Sequence, residues 1–246
     1  MESPFGDIHQ NVGIWLGCIA EYLGNPHVYD IGAHTGLFTK MLAKQGCSVT
    51  AFEPVPSTLE ALKEAIDNDG LTEKVTIVPH GLSDVETEKT LFQFSDETFN
   101  SLYPRGAEEM AQYGLSFLGG TKVSIKTLDS LQKEMELPLP GLIKIDIEGA
   151  ELPAFRGGEK TITAARPIIV SEYSTGNCQN AGYERAELHT FLSEKDYQVF
   201  GLFRNEDEQL YGSERFDDPR IWNLIAVPKE SMEAFSRKHA KYIAKK

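Results

Sequence analysis

The sequence predicts an α/β fold, a mostly parallel sheet with helices on both faces, and three observations carry that prediction. Short β-rich runs alternate with helical patterns along most of the chain. A glycine turn, "DIGAHTG" from Asp30 to Gly36, joins the first such run to the helical pattern after it. Four of the runs close on a carboxylate, namely Asp30, Glu53, Asp146 and Glu172. Parallel strands need helical crossovers, and such a sheet binds its ligand outside the carboxyl ends of its strands, where strand order reverses. Four crossovers would therefore deliver four acids to one edge.

The elements follow in order. Ile8, Val12, Trp15, Ile19 and Leu23 recur at helical spacing, which predicts an amphipathic helix over residues 8–23 ended by Gly24, Asn25 and Pro26. A strand at 27–32, a helix from Leu37 to Lys44, a strand at 48–54, a helix from Ser57 to Asn68 and a strand at 74–81 come next. Residues from Ser83 to Gly120 are less regular and are expected to form a functional loop or cap, with one strand near Thr90 to Phe94. The alternation resumes with a strand around Val123 and Ile125, then "LIKIDIEGAE", "RPIIVSEYS" and a helix from Glu184 to Lys195. Two strands, "YQVFGLFR" and "IWNLIAVP", close the pattern, and the acidic link at 205–220 between them is expected to be exposed. The lysine-rich end, "SRKHAKYIAKK", is expected to be a solvated helix face or a frayed tail.

Composition narrows the function classes. The 246 residues suffice for one α/β domain. Lys plus Arg number 24 against 37 Asp plus Glu, and the resulting net charge of −13 opposes the phosphate-neutralising footprint of a nucleic-acid binder. Cys18, Cys47 and Cys178 are widely spaced and odd in number, which fits a reduced cytoplasmic protein rather than a disulfide framework. The N-terminus has no basic region followed by an apolar run, and no apolar segment approaches membrane-spanning length, so neither secretion nor a membrane is expected. Nothing in the sequence assigns an oligomeric state.

The turn discriminates between nucleotide-like ligands. Gly32 and Gly36 let backbone approach a ligand closely and aim a helix N-terminus at it. The dinucleotide fingerprint G-x-G-x-x-G fails, because His34 and Leu37 stand at its second and third glycines. S-adenosylmethionine carries an ammonium and a sulfonium in place of a pyrophosphate, so carboxylates near the turn favour it electrostatically. Glu53, 21 positions beyond Gly32, offers two acceptor oxygens to adjacent ribose hydroxyls. Pro54 fixes the turn after it. His34 is expected to contact the cofactor through its backbone, and Leu82 and Ser83 to line the adenine edge. The cofactor-binding set is thus Asp30, Gly32, Ala33, His34, Thr35, Gly36, Glu53, Pro54, Leu82 and Ser83.

The segments "VYDIGAHTGLFTK", "VTAFEPVPSTLEALKEAI", "GLSD", "FNSL", "VSIKTLDSL", "LIKIDIEGAELPAFRGG" and "PIIVSEY", spanning residues 28–173, resemble the FkbM-type S-adenosylmethionine-dependent methyltransferases. Where that family's pattern usually has Asn, this chain has His34, and no role is assigned to its ring. The resemblance implies a Rossmann-like class I methyltransferase sheet of seven strands, the last antiparallel. It further implies one methyltransferase domain over 1–246, with a helical segment at 1–27, a catalytic core at 28–228 and a tail helix at 229–246. The implied reaction is methyl transfer to a hydroxyl of a small molecule such as a sugar or polyketide. A nicotinamide-dependent oxidoreductase is the alternative enzyme, disfavoured by the failed fingerprint. A non-catalytic cofactor-binding protein would not need the later acids.

A hydroxyl becomes a good nucleophile only when a base takes its proton. The candidate catalytic residues are Asp146, nearest the methyl and the acceptor, Glu148 as its partner, and Glu172 as an alternative base on the neighbouring strand. Asp146 and Glu148 share a face if extended geometry persists that far. Glu151 reads as a first-turn helix acid, and Lys144 as either an ion-pair partner or a solvated strand lysine. Asn100, Ser101 and Arg105 are candidates for the acceptor site. Oxygen ligands from Asp146, Glu148 and Glu172 would suit Mg²⁺, but the spacing does not establish that geometry and no metal is assigned.

Overall fold

Runs that are apolar on both faces must be covered on both faces, and the central strands of this chain are such runs. A computed structural model describes residues 6–203 and 209–243, with side chains from Asn11 onward. Helix α1 (Gly6–Tyr22) precedes β1 (His27–Ile31), α2 (Leu37–Gln45), β2 (Ser48–Phe52), α3 (Pro56–Asn68) and β3 (Val75–Val78). An inserted region follows, with β4 (Gly81–Leu82), β5 (Thr87–Phe94), α4 (Ala107–Tyr113) and β6 (Phe117–Lys126). Then come α5 (Leu128–Glu134), β7 (Leu142–Ile145), α6 (Glu151–Gly157), α7 (Glu159–Ala165), β8 (Ile168–Glu172) and α8 (Thr175–Asn180). The chain continues with α9 (Ala186–Glu194), β9 (Tyr197–Phe203), β10 (Leu210–Tyr211), β11 (Ile221–Pro228) and α10 (Met232–His239).

The main sheet has the order β10-β9-β11-β8-β7-β1-β2-β3. Strands β3, β2, β1, β7 and β8 are parallel, and β11 runs antiparallel between β8 and β9. Strand order reverses at β1, which pairs with β2 on one side and β7 on the other. Every residue of β7 is buried, as expected of a parallel strand covered on both faces. Full burial of one such Leu or Ile side chain contributes about 1.5–3 kcal/mol. One face is covered by α5, α6, α7, α8 and α9 through residues such as Leu131, Phe155 and Leu188. The other is covered by α1, α2, α3 and α10 through Trp15, Leu42, Leu62 and Phe235. Among the described residues no helix is long and apolar enough to cross a membrane.

The architecture is the mostly parallel α/β sheet expected, with four differences. Eight strands pair where seven were expected, because Leu210 and Tyr211 add a short edge strand to β9. The strand around Val123 and Ile125 is not in the main sheet; β6 pairs with β4 and β5 in a separate three-stranded sheet. That sheet is anchored by Val55, Leu91, Val123 and Ile125, and it brings the region expected to be irregular over the glycine turn. The link at 205–220, expected to be exposed, buries Leu210 and Phe216, while residues 205–208 lie outside the described residues. The C-terminal segment presents the solvated helix face expected through Arg237 and Lys238, but its opposite face is packed on the core. Phe235 and His239 of α10 are buried, with ring centroids 6.3 and 5.4 Å from that of Trp15. Of the helical stripe in α1, Val12, Trp15 and Ile19 are buried and Leu23 is half-buried, while the side chain of Ile8 lies outside the described residues.

Candidate active site

The turn after β1 is built against β7. Gly32 has φ +80°, and a Cβ there would collide with the backbone carbonyl of Asp146. This glycine therefore lets two loops touch, and it also lines the cavity beside the turn. Gly36, at φ +87°, caps α2, and a Cβ there would come 2.6 Å from Leu62 of α3. Its role is helix packing. Asp30 and Lys144 are register partners across β1 and β7. Both are buried, with Lys144 Nζ 3.3 Å from Asp30 Oδ1 and donating to the Gly32 carbonyl at 2.8 Å. Thr39 donates to Asp30 Oδ2 at 2.6 Å. Lys144 is thus the ion-pair partner, with its head away from solvent. Burial opposes its charge, but Asp30 and Asp146 outweigh that and hold its pKa above the usual lysine value.

Glu53 leaves β2 into a cavity of about 270 Å³ beside the turn. Its two oxygens accept from the backbone N–H groups of His34 and Val55 at 3.0 and 2.9 Å. A carboxylate has about four acceptor sites, so each oxygen keeps capacity for a ligand hydroxyl. Burial raises the Glu53 pKa, opposed by those two N–H groups and Lys144. The His34 N–H is engaged by Glu53, so the backbone contact to cofactor expected of it is not free. Its imidazole instead faces the cavity, with Nε2 3.6 Å from Glu97 Oε2 in the inserted region.

Beyond β7 the chain does not stay extended. Glu148 has φ +55° and Gly149 φ +103°, so the carboxylates of Asp146 and Glu148 come together through a tight loop and not by strand alternation. Glu151 ties this loop down, accepting from the N–H groups of Ile147 at 2.8 Å and Gly149 at 3.1 Å. It is a first-turn acid of α6 as expected, with the added task of holding the loop, and burial pushes its carboxyl up to about 7. Asp146, Glu148 and Glu172 each have an oxygen within 4.8 Å of the others, a spacing that a hard divalent cation could span.

Arg105 and Asn177 organise the acids. The buried guanidinium of Arg105 donates to Glu148 Oε2 at 2.6 Å, to Asn177 Oδ1 at 2.9 Å, to the Phe99 carbonyl at 3.0 Å and to Glu109. A guanidinium cannot accept, so Asn177 must turn its oxygen towards Arg105 and its amide N–H groups towards the acids. Asn177 Nδ2 lies 2.8 Å from Glu148 Oε2 and 3.0 Å from both oxygens of Glu172. Burial and the neighbouring Asp146 nevertheless push Glu148 up to about 8 against the pull of Arg105. Glu172 is raised well above the usual carboxylate range, by burial and then by Glu148 and Asp146. No group among the described residues donates a hydrogen bond to the Asp146 carboxylate.

A second cavity, of about 730 Å³, opens on the far side of these acids. Asp146, Glu148 and Thr98 line both cavities. Of the predicted cofactor set, Gly32, Ala33, His34, Thr35, Glu53, Pro54 and Leu82 line the first cavity. Asp30, Gly36 and Ser83 stand behind its wall; Ser83 donates to Asp84 at 3.1 Å and its backbone packs on Gly157. Glu172 and Arg105 line the second cavity, whereas Asn100 and Ser101 line the first. Sequence reasoning missed Asn177, which no motif marks, and the ring of Trp222 at the second cavity, which reads as an ordinary strand residue.

With this geometry in hand the comparisons are decisive about family. The methyltransferase FkbM domain matches residues 30–199. The chain belongs to the FkbM methyltransferase family. A hexuronic acid methyltransferase of Haloferax volcanii is 26% identical over 195 residues, which cover 78% of this chain and 71% of that protein. The O-methyltransferase of Bacillus cereus, solved with S-adenosylhomocysteine, superposes at a TM-score of 0.52 with 16% identity, covering 92% of this chain and 84% of that one. A methyltransferase FkbM of Methylobacillus flagellatus gives a TM-score of 0.49 at 17% identity, and the alignment takes in 82% of this chain but only 43% of that longer protein. The family match makes the chain a methyltransferase, and the likeness to the Bacillus cereus structure is one of class I fold.

Proposed function

We propose that this methyltransferase moves a methyl group from S-adenosylmethionine to a hydroxyl of a small molecule. The observation that carries the reading is the position of Asp146, a carboxylate that accepts no hydrogen bond from the described residues and stands where two cavities meet. In the first cavity Glu53 would accept from the ribose hydroxyls, the 32–35 turn would face the amino-acid end, and Leu82 would supply an apolar wall. When bound, S-adenosylmethionine supplies a methyl on a sulfonium, and the sulfur–methyl bond breaks as the oxygen–methyl bond forms. The second cavity would hold the acceptor.

Asp146 lines both cavities and is the group that would orient the hydroxyl and take its proton. Positioning supplies much of the rate in such an in-line displacement. Glu148, held by Arg105 and Asn177, is less suited to the proton step because its Oε2 already accepts from both. Glu172 is engaged by Asn177 in the same way. Calorimetric titration with S-adenosylmethionine, its demethylated product and NADH tests the cofactor. Labelled methyl transfer onto metabolite extracts tests the reaction. Binding of NADH alone would overturn the reading.

A further inference from the structure

The second cavity has a charge that the reaction does not require. Its wall carries Asp96, Glu108, Glu109, Asp146, Glu148 and Glu172, against the guanidiniums of Arg105 and Arg185. Neither arginine is at liberty to meet a ligand. Arg105 is buried in contact with Glu148, Glu109 and Asn177. Arg185 donates to the carbonyls of Phe216, Asp218 and Ile221, and its guanidinium lies 4.7 Å from the ring centroid of Tyr173. The cavity therefore offers many acceptors and excess negative charge, but, among the described residues, no cation left for a ligand's acid to pair with. The rings of Phe99, Tyr113 and Trp222 add flat apolar surface to the same wall.

Carboxylates and amides that accept from hydroxyls, set beside aromatic rings, suit a polyol whose C–H faces pack on the rings. Resting on the reading of this cavity as the acceptor site, we infer that its acceptor is a polyhydroxylated molecule without an anionic group, and that a protonated amine on it is favoured over a neutral substituent. A uronic acid would bring a further carboxylate into that negatively charged cavity. This separates the present chain from its Haloferax relative, whose name specifies a hexuronic acid.

The test uses three methyl hexosides that differ only at C6, bearing an ammonium, a hydroxyl or a carboxylate. Saturation-transfer NMR on the full chain holding S-adenosylhomocysteine, with chelator present, should rank them ammonium, hydroxyl, carboxylate, with the uronoside weaker than the amine by roughly tenfold or more. Glu108→Lys, an exposed change at the cavity wall, should compress that ranking. Uronoside binding equal to or stronger than the amine overturns the inference, as does binding of none of the three or a ranking untouched by Glu108→Lys. Uronoside binding that appears only on adding Mg²⁺ also overturns it, because Asp146, Glu148 and Glu172 would then recruit the acid through a cation. The ranking is independent of turnover: if it appears while no label moves from S-adenosylmethionine to any acceptor, the charge selection stands and the methyl-transfer reading fails.

Discussion

The cavity beside the glycine turn draws much of its wall from two short segments, residues 31–38 and 52–58, whereas the cavity beyond Asp146 takes residues from six stretches of chain between Asp96 and Trp222, none of which dominates its wall. The first is shaped mainly by backbone: a turn, two N–H groups on one glutamate and a lysine locked to a carbonyl. The second is shaped by side chains that hold one another, with Arg105 and Asn177 72 positions apart. Backbone geometry set by a glycine turn can serve one invariant ligand. A side-chain network can be re-lined residue by residue, and that is the economical place for acceptor choice to reside.

The sharpest way to break this comparison is at the shared wall. Asp146→Asn keeps the shape of the side chain but removes the proton acceptor, and loss of a positioned base slows a reaction by about 10²–10⁴-fold. Labelled methyl transfer to an identified acceptor should fall by that amount, and Glu172→Gln is the control. Full turnover in Asp146→Asn with a dead Glu172→Gln would move the base to the neighbouring strand.

The network side should be the more fragile one. Arg105→Met leaves Glu148 and Glu109 without their buried partner, a change that destabilises by about 3–5 kcal/mol. Urea unfolding should show the loss, and Arg105→Lys should not restore it, because an ammonium cannot reproduce the guanidinium's fork of contacts. A loss below 1 kcal/mol, the level of an exposed ion pair, would show that the acids rearrange freely.

That contrast also explains what the sequence revealed. Strands β1, β2, β7 and β8 and helices α2 and α3 were legible because buried parallel strands are apolar throughout and their crossovers carry helical stripes. The inserted sheet was only partly legible. In "TEKTLFQF" only Leu91 and Phe94 are buried, so the alternation that marks a half-buried strand is faint. For the first cavity, motif spacing located the turn and Glu53 but could not say which side of the wall a residue faces. Asp30 and Gly36 therefore proved to be an ion-pair partner and a packing site. In the second cavity the acids were visible as strand ends, while the Arg105–Asn177 pairing that positions them has no local signature. Glu148 illustrates the limit: its place in the cluster depends on a left-handed backbone conformation, which strand periodicity does not encode.

A smaller effect belongs to Glu53. Glu53→Gln keeps the bulk but removes a charged acceptor, and hydrogen bonds to charged groups contribute about 1.5–3 kcal/mol. Affinity for S-adenosylmethionine should weaken accordingly while acceptor selection stays as it was. Unchanged affinity would remove Glu53 from the cofactor site.

The smallest expected effect is on pH-dependent stability. Folding raises the Glu148 and Glu172 carboxyls above their ordinary range, so the folded state holds protons that the unfolded chain has released. Stability from these groups is present at low pH and is lost as pH rises, through about 8 for Glu148. The histidines at 27, 34, 80, 189 and 239 are shifted down by burial and act oppositely, but that gain is complete once pH passes their ordinary value. Between about pH 7 and 8 the ligand-free protein should therefore lose melting temperature, by roughly 2–4 °C for each kcal/mol. Glu148→Gln should flatten that slope; a slope identical in the variant would remove Glu148 as its source.

Separate cavities meeting at Asp146 make one demand that neither cavity alone would make. Calorimetric titration of S-adenosylmethionine into the wild type, Glu53→Gln and Asp146→Asn, paired with labelled methyl transfer by the same three preparations, tests it. The account predicts a double dissociation: affinity falls in Glu53→Gln, and turnover collapses in Asp146→Asn with affinity within a small factor of the wild type. Loss of affinity in Asp146→Asn equal to that in Glu53→Gln, or full turnover in Asp146→Asn, would contradict it.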